Sequence, residues 1–101
     1  MGDMPPGKVD AALVAADAAL ADIRHMGSAQ EKLEAAGLLV DGLRSRSDEA
    51  ARIRHAEALR IYEEESLSLA QLAGRVGISK ARADQIVKAE RERQKEEAAN
   101  G

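Results

Sequence analysis

The stretch from Ser68 to Glu90, SLAQLAGRVGISKARADQIVKAE, constrains the fold of this chain more than any other. Ser68 is a good helix N-cap because its hydroxyl can accept a bond from an orphan amide, and Gln71 completes a capping-box pattern. Gly77 supplies the positive φ that a sharp turn after a helix needs, and Ser79 can cap a second helix. The apolar residues between the first cap and the turn recur at helical spacing: Leu69, Leu72, Ala73 and Val76. The stretch therefore predicts two helices joined by a short turn.

The apolar positions also predict how these two helices pack. Helices that cross after a short turn need a small residue where they touch, and Ala73 fills that position. The other inward side chains are predicted to be Leu72, Val76, Ile78, Ala83, Ile86 and Val87. The outer side of the second helix is left with Ser79, Lys80, Ala81, Arg82, Asp84, Gln85 and Lys88.

That outer surface has the chemistry of a DNA-reading helix. Gln can pair with adenine and Arg with guanine in the major groove, and small residues such as Ser and Ala allow close approach. We therefore predict a helix-turn-helix whose base-contacting residues are Ser79, Lys80, Ala81, Arg82, Asp84 and Gln85. The other interpretation is an ordinary helical hairpin in an all-α domain.

Composition indicates a thin core and an uneven charge. The chain has 101 residues, 45% of them apolar, but many are alanine and Tyr62 is the only aromatic. Small chains bury proportionately little surface, so we expect a second copy to contribute to the core. The net charge is −3, yet residues 66–95 hold seven basic and three acidic residues, a balance of +4, whereas residues 1–65 carry −5. A basic reading surface on an acidic body is still drawn to phosphate locally.

The first half is predicted to be a helical hairpin over residues 8–46 that pairs two subunits, after a disordered segment 1–7 rich in Pro and Gly. Apolar residues at Val9, Leu13, Ala16, Leu20 and Ile23 alternate steps of four and three, as in a heptad. This helix is expected to run from Lys8 to about His25 and to be ended by Gly27, and Ser28 with Glu31 is expected to begin the next. A coiled-coil seam and a packed hairpin explain this spacing equally well. The predicted dimer interface comprises Val9, Leu13, Leu20, Ile23, Leu33, Val40 and Leu43.

The DNA-binding domain is predicted over residues 47–95, with a frayed tail at 96–101. Whether residues 28–65 form one helix or two is left open by the sequence. Ile53, Ala56, Leu59 and Tyr62 are expected to share one inward side, with Tyr62 under the two-helix unit. The acidic triplet Glu63 to Glu65 is expected to be a solvated helix end.

Several function classes find no support in the sequence. There is no cysteine and hence no disulfide or thiolate chemistry, and the two histidines, His25 and His55, have no nearby partner ligands for a metal. No nucleophile with a base and no glycine-rich phosphate loop is present, so we expect neither an enzyme nor a cofactor. No apolar run reaches membrane-spanning length and no signal peptide is recognisable, so we expect a cytoplasmic, nucleoid-associated protein without membrane contact.

From about Ile53 to Glu90, the run IRHAEALRIYEEESLSLAQLAGRVGISKARADQIVKAE resembles the fourth-region DNA-binding domain of bacterial sigma factors. It is also similar to small bacterial helix-turn-helix regulators that borrow this domain. In both, a helix leads into LSLAQLAGRVGIS and the recognition helix opens with Ser and a basic residue. The resemblance implies that Ser68, Gln71 and Arg75 lie near phosphates. It also implies that five residues of the second helix and its cap face DNA: Ser79, Lys80, Arg82, Asp84 and Gln85. The upstream regions of sigma factors have no counterpart here, so we do not expect a complete sigma factor.

These observations predict a sequence-specific, double-stranded DNA-binding protein, a homodimeric transcriptional regulator. In this hypothesis Arg75 and Lys88 contact phosphates, whereas Arg82 and Gln85 determine specificity. One alternative is a protein-interaction adaptor that docks on RNA polymerase, a sigma factor or another regulator. A second is a DNA-organising or plasmid or phage maintenance protein that uses the same contacts in arrays.

Overall fold

A computed structural model describes residues 6–101, and all secondary structure within that range is helical. The helices are α1 (Pro6–Arg24), α2 (Ala29–Glu64), α3 (Leu69–Val76) and α4 (Lys80–Asn100). The all-α fold class is thereby confirmed. The chain divides inside α2 into two compact units, one ending at Ser45 and the other spanning Arg46–Gly101.

The beginning of α1 differs from the sequence-based expectation, whereas its end agrees with it. The predicted disordered segment 1–7 lies mostly outside the described residues, but Pro6 and Gly7 belong to α1. Pro is tolerated in the first helical turn because its missing N–H would be unpaired there anyway. The helix ends at Arg24, one residue before the predicted end near His25, and the amides of His25 and Met26 bond back to the chain with 3.2 Å N–O distances.

The second helix, α2, is a single helix of 36 residues, which answers the question that the sequence left open. It begins as predicted, because the Ser28 hydroxyl accepts a 3.1 Å bond from the Glu31 amide. The same hydroxyl donates a 3.0 Å bond to the Glu31 carboxylate. No proline interrupts the helix, and neither Gly37 nor Gly42 breaks it.

In the first unit, none of residues 7–45 is buried. The large apolar side chains are mostly exposed, and six of the seven residues predicted for the dimer interface are among them; Ile23 alone of that set is half-buried. The half-buried positions are mainly small residues: Ala16, Ala19, Ile23, Met26, Ala35, Ala36, Leu39 and Gly42. This unit therefore has more apolar surface than its own helices cover, and its hairpin arrangement stays a prediction.

The second unit has a buried core where the end of α2 meets α3 and α4. One cluster contains Ala58, Leu59, Leu72, Ala73, Ala83 and Val87, and Ile86 is also buried. Leu59 and Leu72 are its largest fully buried side chains. Tyr62, Leu67, Leu69, Val76 and Ile78 pack against the cluster. The predicted inward positions of α3 and α4 are therefore confirmed.

The predicted inward side of α2 is wrong at Ile53, whose side chain is 63% exposed. The set Ile53, Ala56, Leu59 and Tyr62 advances by three residues at each step. Because a helix has 3.6 residues per turn, such a line rotates by about 60° per step and leaves the core-facing side. Leu59 is buried and Tyr62 packs against the core, as predicted, and Ala58 is a buried residue that the predicted set lacks.

The predicted frayed tail is helical over most of its length, because α4 continues to Asn100. Arg93 supports this extension with hydrogen bonds to the carboxylates of Glu90 and Glu97, one turn away on either side. The amide of Gly101 bonds to the Glu97 carbonyl at 2.9 Å. Ion pairs at three- and four-residue spacing stabilise exposed helix ends in this way.

Candidate nucleic-acid interface

The entry into α3 has the capping box that the sequence predicts. The Gln71 amide donates a 3.1 Å bond to the Ser68 hydroxyl, and the Ser68 amide donates a 2.8 Å bond to the Gln71 side-chain oxygen. Both orphan groups at the helix start are thus paired locally.

The turn between α3 and α4 is equally well defined. Gly77 has φ +82°, in the left-handed region where a side chain is disfavoured. The amides of Gly77 and Ile78 both bond to the Ala73 carbonyl, at 2.8 and 3.0 Å. Ser79 then caps α4 by accepting a 3.0 Å bond from the Arg82 amide. The predicted Gly77 turn and Ser79 cap are confirmed.

The outer face of α4 is opposite its buried line. Ala83, Ile86, Val87 and Glu90 are buried. The exposed residues of the opposite face, spaced four, three and four apart, are Ala81, Gln85, Lys88 and Glu92. Of the residues predicted to contact bases, Ser79, Lys80, Ala81, Arg82 and Gln85 are exposed, whereas Asp84 is half-buried. The structure thus leaves five of the six predicted base-contacting residues accessible.

The four residues predicted to contact phosphates already have partners within the chain. Ser68 and Gln71 bond to each other in the cap. The guanidinium of Arg75 makes two bonds to the Glu65 carboxylate, with N–O distances of 2.7 and 3.3 Å. Lys88 lies 3.0 Å from the Asp84 carboxylate. Phosphate binding by Arg75 or Lys88 therefore requires an exchange of one anion for another.

The ion pair between Arg75 and Glu65 shifts the pKa of both groups. The hydrogen bond from Arg75, and secondly its charge, lower the pKa of Glu65 below its ordinary value. The same contacts raise the pKa of Arg75. Both side chains are about half exposed, so water and salt screen the pair.

The basic residues of the second unit fall into two groups. Five of them lie against carboxylates: Arg60, Arg75, Lys88, Arg91 and Arg93. Within residues 47–101, the basic side chains without an ion-pair partner are Arg52, Arg54, Lys80, Arg82 and Lys95. Lys80 and Arg82 open α4, so the beginning of the predicted recognition helix carries uncompensated positive charge.

The acidic triplet at the end of α2 is exposed, as predicted, but each member has a partner. Glu64 pairs with Arg60 at 3.0 Å, one turn earlier in the same helix. Glu63 pairs with Arg91 of α4 at 3.1 Å. The Arg91 guanidinium also lies 5.5 Å from the centre of the Tyr62 ring, in cation–π range. The Glu65–Arg75 pair connects the end of α2 to α3, and the Glu63–Arg91 pair connects it to α4.

Glu90 is a buried charged residue that the sequence-based prediction did not single out. Its side chain is 4% exposed and accepts hydrogen bonds from Arg93 and Gln94. The hydrogen bond from Arg93 lowers the pKa of Glu90, whereas its burial acts in the opposite direction. Glu90 extends the buried line at 83, 86 and 87, so its position was readable from the helical period.

The described part of the chain contains no group of three metal-ligating side chains. Within residues 6–101, no helix combines the length and the apolar character that crossing a bilayer requires. Comparisons with protein-family models, with curated proteins and with solved structures found no match for this chain. The resemblance to the fourth-region domain of sigma factors therefore stays a prediction that rests on the residues from Ile53 to Glu90.

Proposed function

We propose that this protein binds double-stranded DNA sequence-specifically through the outer face of α4 and acts as a homodimeric transcriptional regulator. The observation that carries the proposal is the exposed start of α4, where the side chains of Lys80, Arg82 and Gln85 have no hydrogen-bond or ion-pair partner. A side-chain amide and two cations without partners are suited to form hydrogen bonds with base edges and phosphate oxygens.

The local supports of α4 favour the same function. A reading helix must be held rigidly, because base-edge hydrogen bonds tolerate little displacement. The Ser79 cap fixes the start of the helix, and buried Ala83, Ile86 and Val87 fix its rotation about its own axis. Gln85 is then presented outward one turn from the helix start, where residues of recognition helices contact bases.

The exposed apolar residues of the first unit support the homodimer part of the proposal. Leu13, Leu33 and Val40 are each at least half exposed. Such surface is favourable to bury against a second copy, since each square ångström contributes about 25 cal/mol. Two-fold symmetry would then present two copies of α4 to half-sites about one helical turn, roughly 34 Å, apart on the same face of DNA.

The proposal is tested by selecting bound duplexes from a random pool and measuring affinity for the selected and for random sequence. We expect Gln85→Ala to reduce the ratio of the two affinities by a factor that corresponds to about 1–3 kcal/mol. Gln94→Ala is the matched control, because Gln94 is on the same helix but bonds to Glu90. If the wild-type protein selects no sequence, or if both variants change the ratio equally, this assignment is wrong.

Arg75→Ala and Lys88→Ala are expected to weaken binding to all duplexes alike. The loss should be small, because each cation gives up a carboxylate partner when it binds a phosphate. Both affinities are measured on the selected and the random duplex, with circular dichroism as a check on folding. A selective loss on the selected duplex would move these residues to the base-contacting set.

The adaptor alternative is favoured by one observation, the nine large apolar side chains that are exposed among residues 7–101. Exposed apolar surface of this kind commonly marks a protein-binding site. A salt titration separates the two functions, because a DNA reader loses affinity steeply with salt. An adaptor would show little duplex binding at any salt concentration and would instead bind polymerase or a sigma factor.

A further inference from the structure

A groove of about 390 Å³ runs between the middle of α2 and the start of α4. It belongs entirely to the second unit, and it is lined by Ser47, Ala50, Ala51, Arg54, His55 and Arg82. The lining residues include two guanidinium groups and no carboxylate. The other lining side chains are two alanines, one serine and one histidine.

The two arginines of this groove differ from most other arginines of the unit in having no carboxylate partner. Two guanidinium groups that share a groove repel each other, and this arrangement becomes favourable when an anion lies between them. Guanidinium groups bind phosphate oxygens in a two-bond geometry. Ser47 adds a hydroxyl that can donate a further bond.

We propose that this groove binds a backbone phosphate of the DNA, held between Arg54 of α2 and Arg82 of α4. The inference rests on the proposed function, since the phosphate belongs to the duplex that α4 reads. It places a DNA contact on α2, outside the predicted helix-turn-helix. It also assigns Arg82 to a phosphate rather than to a base, in contrast to the sequence-based prediction.

The position of Arg82 on its helix agrees with this assignment. In the first two turns of α4, the residues directly opposite the buried line are Ala81 and Gln85. Arg82 is one residue after Ala81, so it is rotated by about 100° from it, toward the flank that borders α2. A flank position is suited to the phosphates at the edge of a groove, and the outermost positions to the bases.

The test compares Arg54→Ala and Arg82→Ala with Arg52→Ala in salt titrations on the selected duplex and on a random one. Arg52 is the matched control, because it is exposed, has no ion-pair partner, lies two residues from Arg54 and does not line the groove. We expect Arg54→Ala and Arg82→Ala each to weaken binding to both duplexes by roughly five- to tenfold. Removing both arginines together should lower the magnitude of the slope of log affinity against log salt by about 0.9, the value for the one shared phosphate.

The outcomes separate this inference from the proposed function. If the wild-type protein binds neither duplex, both fail. If it binds but Arg54→Ala behaves like Arg52→Ala, the groove is no phosphate site and the DNA-binding proposal stands. If Arg82→Ala reduces only the preference for the selected duplex, Arg82 contacts a base and the shared site is refuted. Thermal unfolding followed by circular dichroism checks that each variant is folded.

Discussion

The first unit of this chain is richer in apolar residues than the second, but only the second unit buries them. Of the first 45 residues, 23 are apolar, against 22 of the 56 residues that follow. Yet none of residues 7–45 is buried, whereas the second unit encloses a continuous core. The difference shows that apolar content alone does not create a core. Side chains are enclosed only where several elements meet, and a short helix between two defined turns brings that about in the second unit.

The sharpest test of this difference compares one leucine from each unit. Leu59→Ala should lower the free energy of unfolding by about 2–5 kcal/mol, because it opens a cavity in the core. Leu38→Ala, at a position that is 76% exposed, should change it by less than about 0.5 kcal/mol. Urea unfolding followed by circular dichroism gives both values. Equal losses would mean that the first unit buries Leu38 in solution.

A charge placed on the apolar surface of the first unit tests whether a second copy covers it. Leu33→Glu should raise the dimer dissociation constant at least tenfold, which corresponds to about 1.4 kcal/mol. Ile53→Glu is the control, since Ile53 is similarly exposed, 63% against 68%, but lies in the second unit. Sedimentation velocity over a range of concentrations measures the constant. A wild-type protein that is monomeric at every concentration would refute the predicted dimer.

Substitutions at two glycines of the second unit distinguish the effect of backbone conformation on stability from the effect of packing. A Cβ at Gly77 or at Gly74 would meet no atom within 4 Å, so neither substitution creates a clash. Gly77→Ala should nevertheless cost about 1–2 kcal/mol, because Gly77 has a positive φ. Gly74→Ala, inside α3, should stabilise by about 0.5–1 kcal/mol. The midpoint temperatures of thermal unfolding of the two variants should shift in opposite directions from that of the wild type. A shift in the same direction would contradict the left-handed turn.

The lowered pKa of Glu90 predicts that the stability of the second unit depends on pH. Its pKa in the folded protein lies below the ordinary glutamate value of 4.5, so its contribution is complete above pH 4.5 and is lost as the pH falls through the folded pKa. Glu90→Gln should cost about 1 kcal/mol at pH 7 and show a weaker loss of stability on acidification. Urea unfolding between pH 7 and pH 3 measures the difference. Parallel pH profiles for wild type and variant would show that Glu90 contributes nothing to acid unfolding.

The features that were predictable from the sequence are those whose partners lie within one helical turn. The Ser68 cap with Gln71, the left-handed Gly77 and the Ser79 cap all follow from hydrogen bonds that span three or four residues. The inward positions of α3 and α4 follow from the helical period over short helices. Over such short stretches, an error in the assumed period does not accumulate.

The sequence-based prediction failed where the period was extended over several turns and where a charged residue was assumed to be exposed. At Ile53 a three-residue step was followed over too many turns, so a residue of the outer side was assigned to the core. Glu90 was missed as a buried residue because a carboxylate is expected to be exposed unless its partners are known. Its partners, Arg93 and Gln94, follow within one turn and were available in the sequence.

By itself, the sequence determined an all-helical chain, the two caps and the turn that join α3 to α4, and the face that α4 exposes. The tertiary structure decided which cations are free. Arg75 and Arg91 find carboxylates ten and twenty-eight residues away in the chain, whereas Arg54 and Arg82 line one groove without any carboxylate. The physical reason is that caps and turns depend on neighbours in sequence, whereas electrostatic pairing depends on distance in space, which is fixed only after the helices have packed.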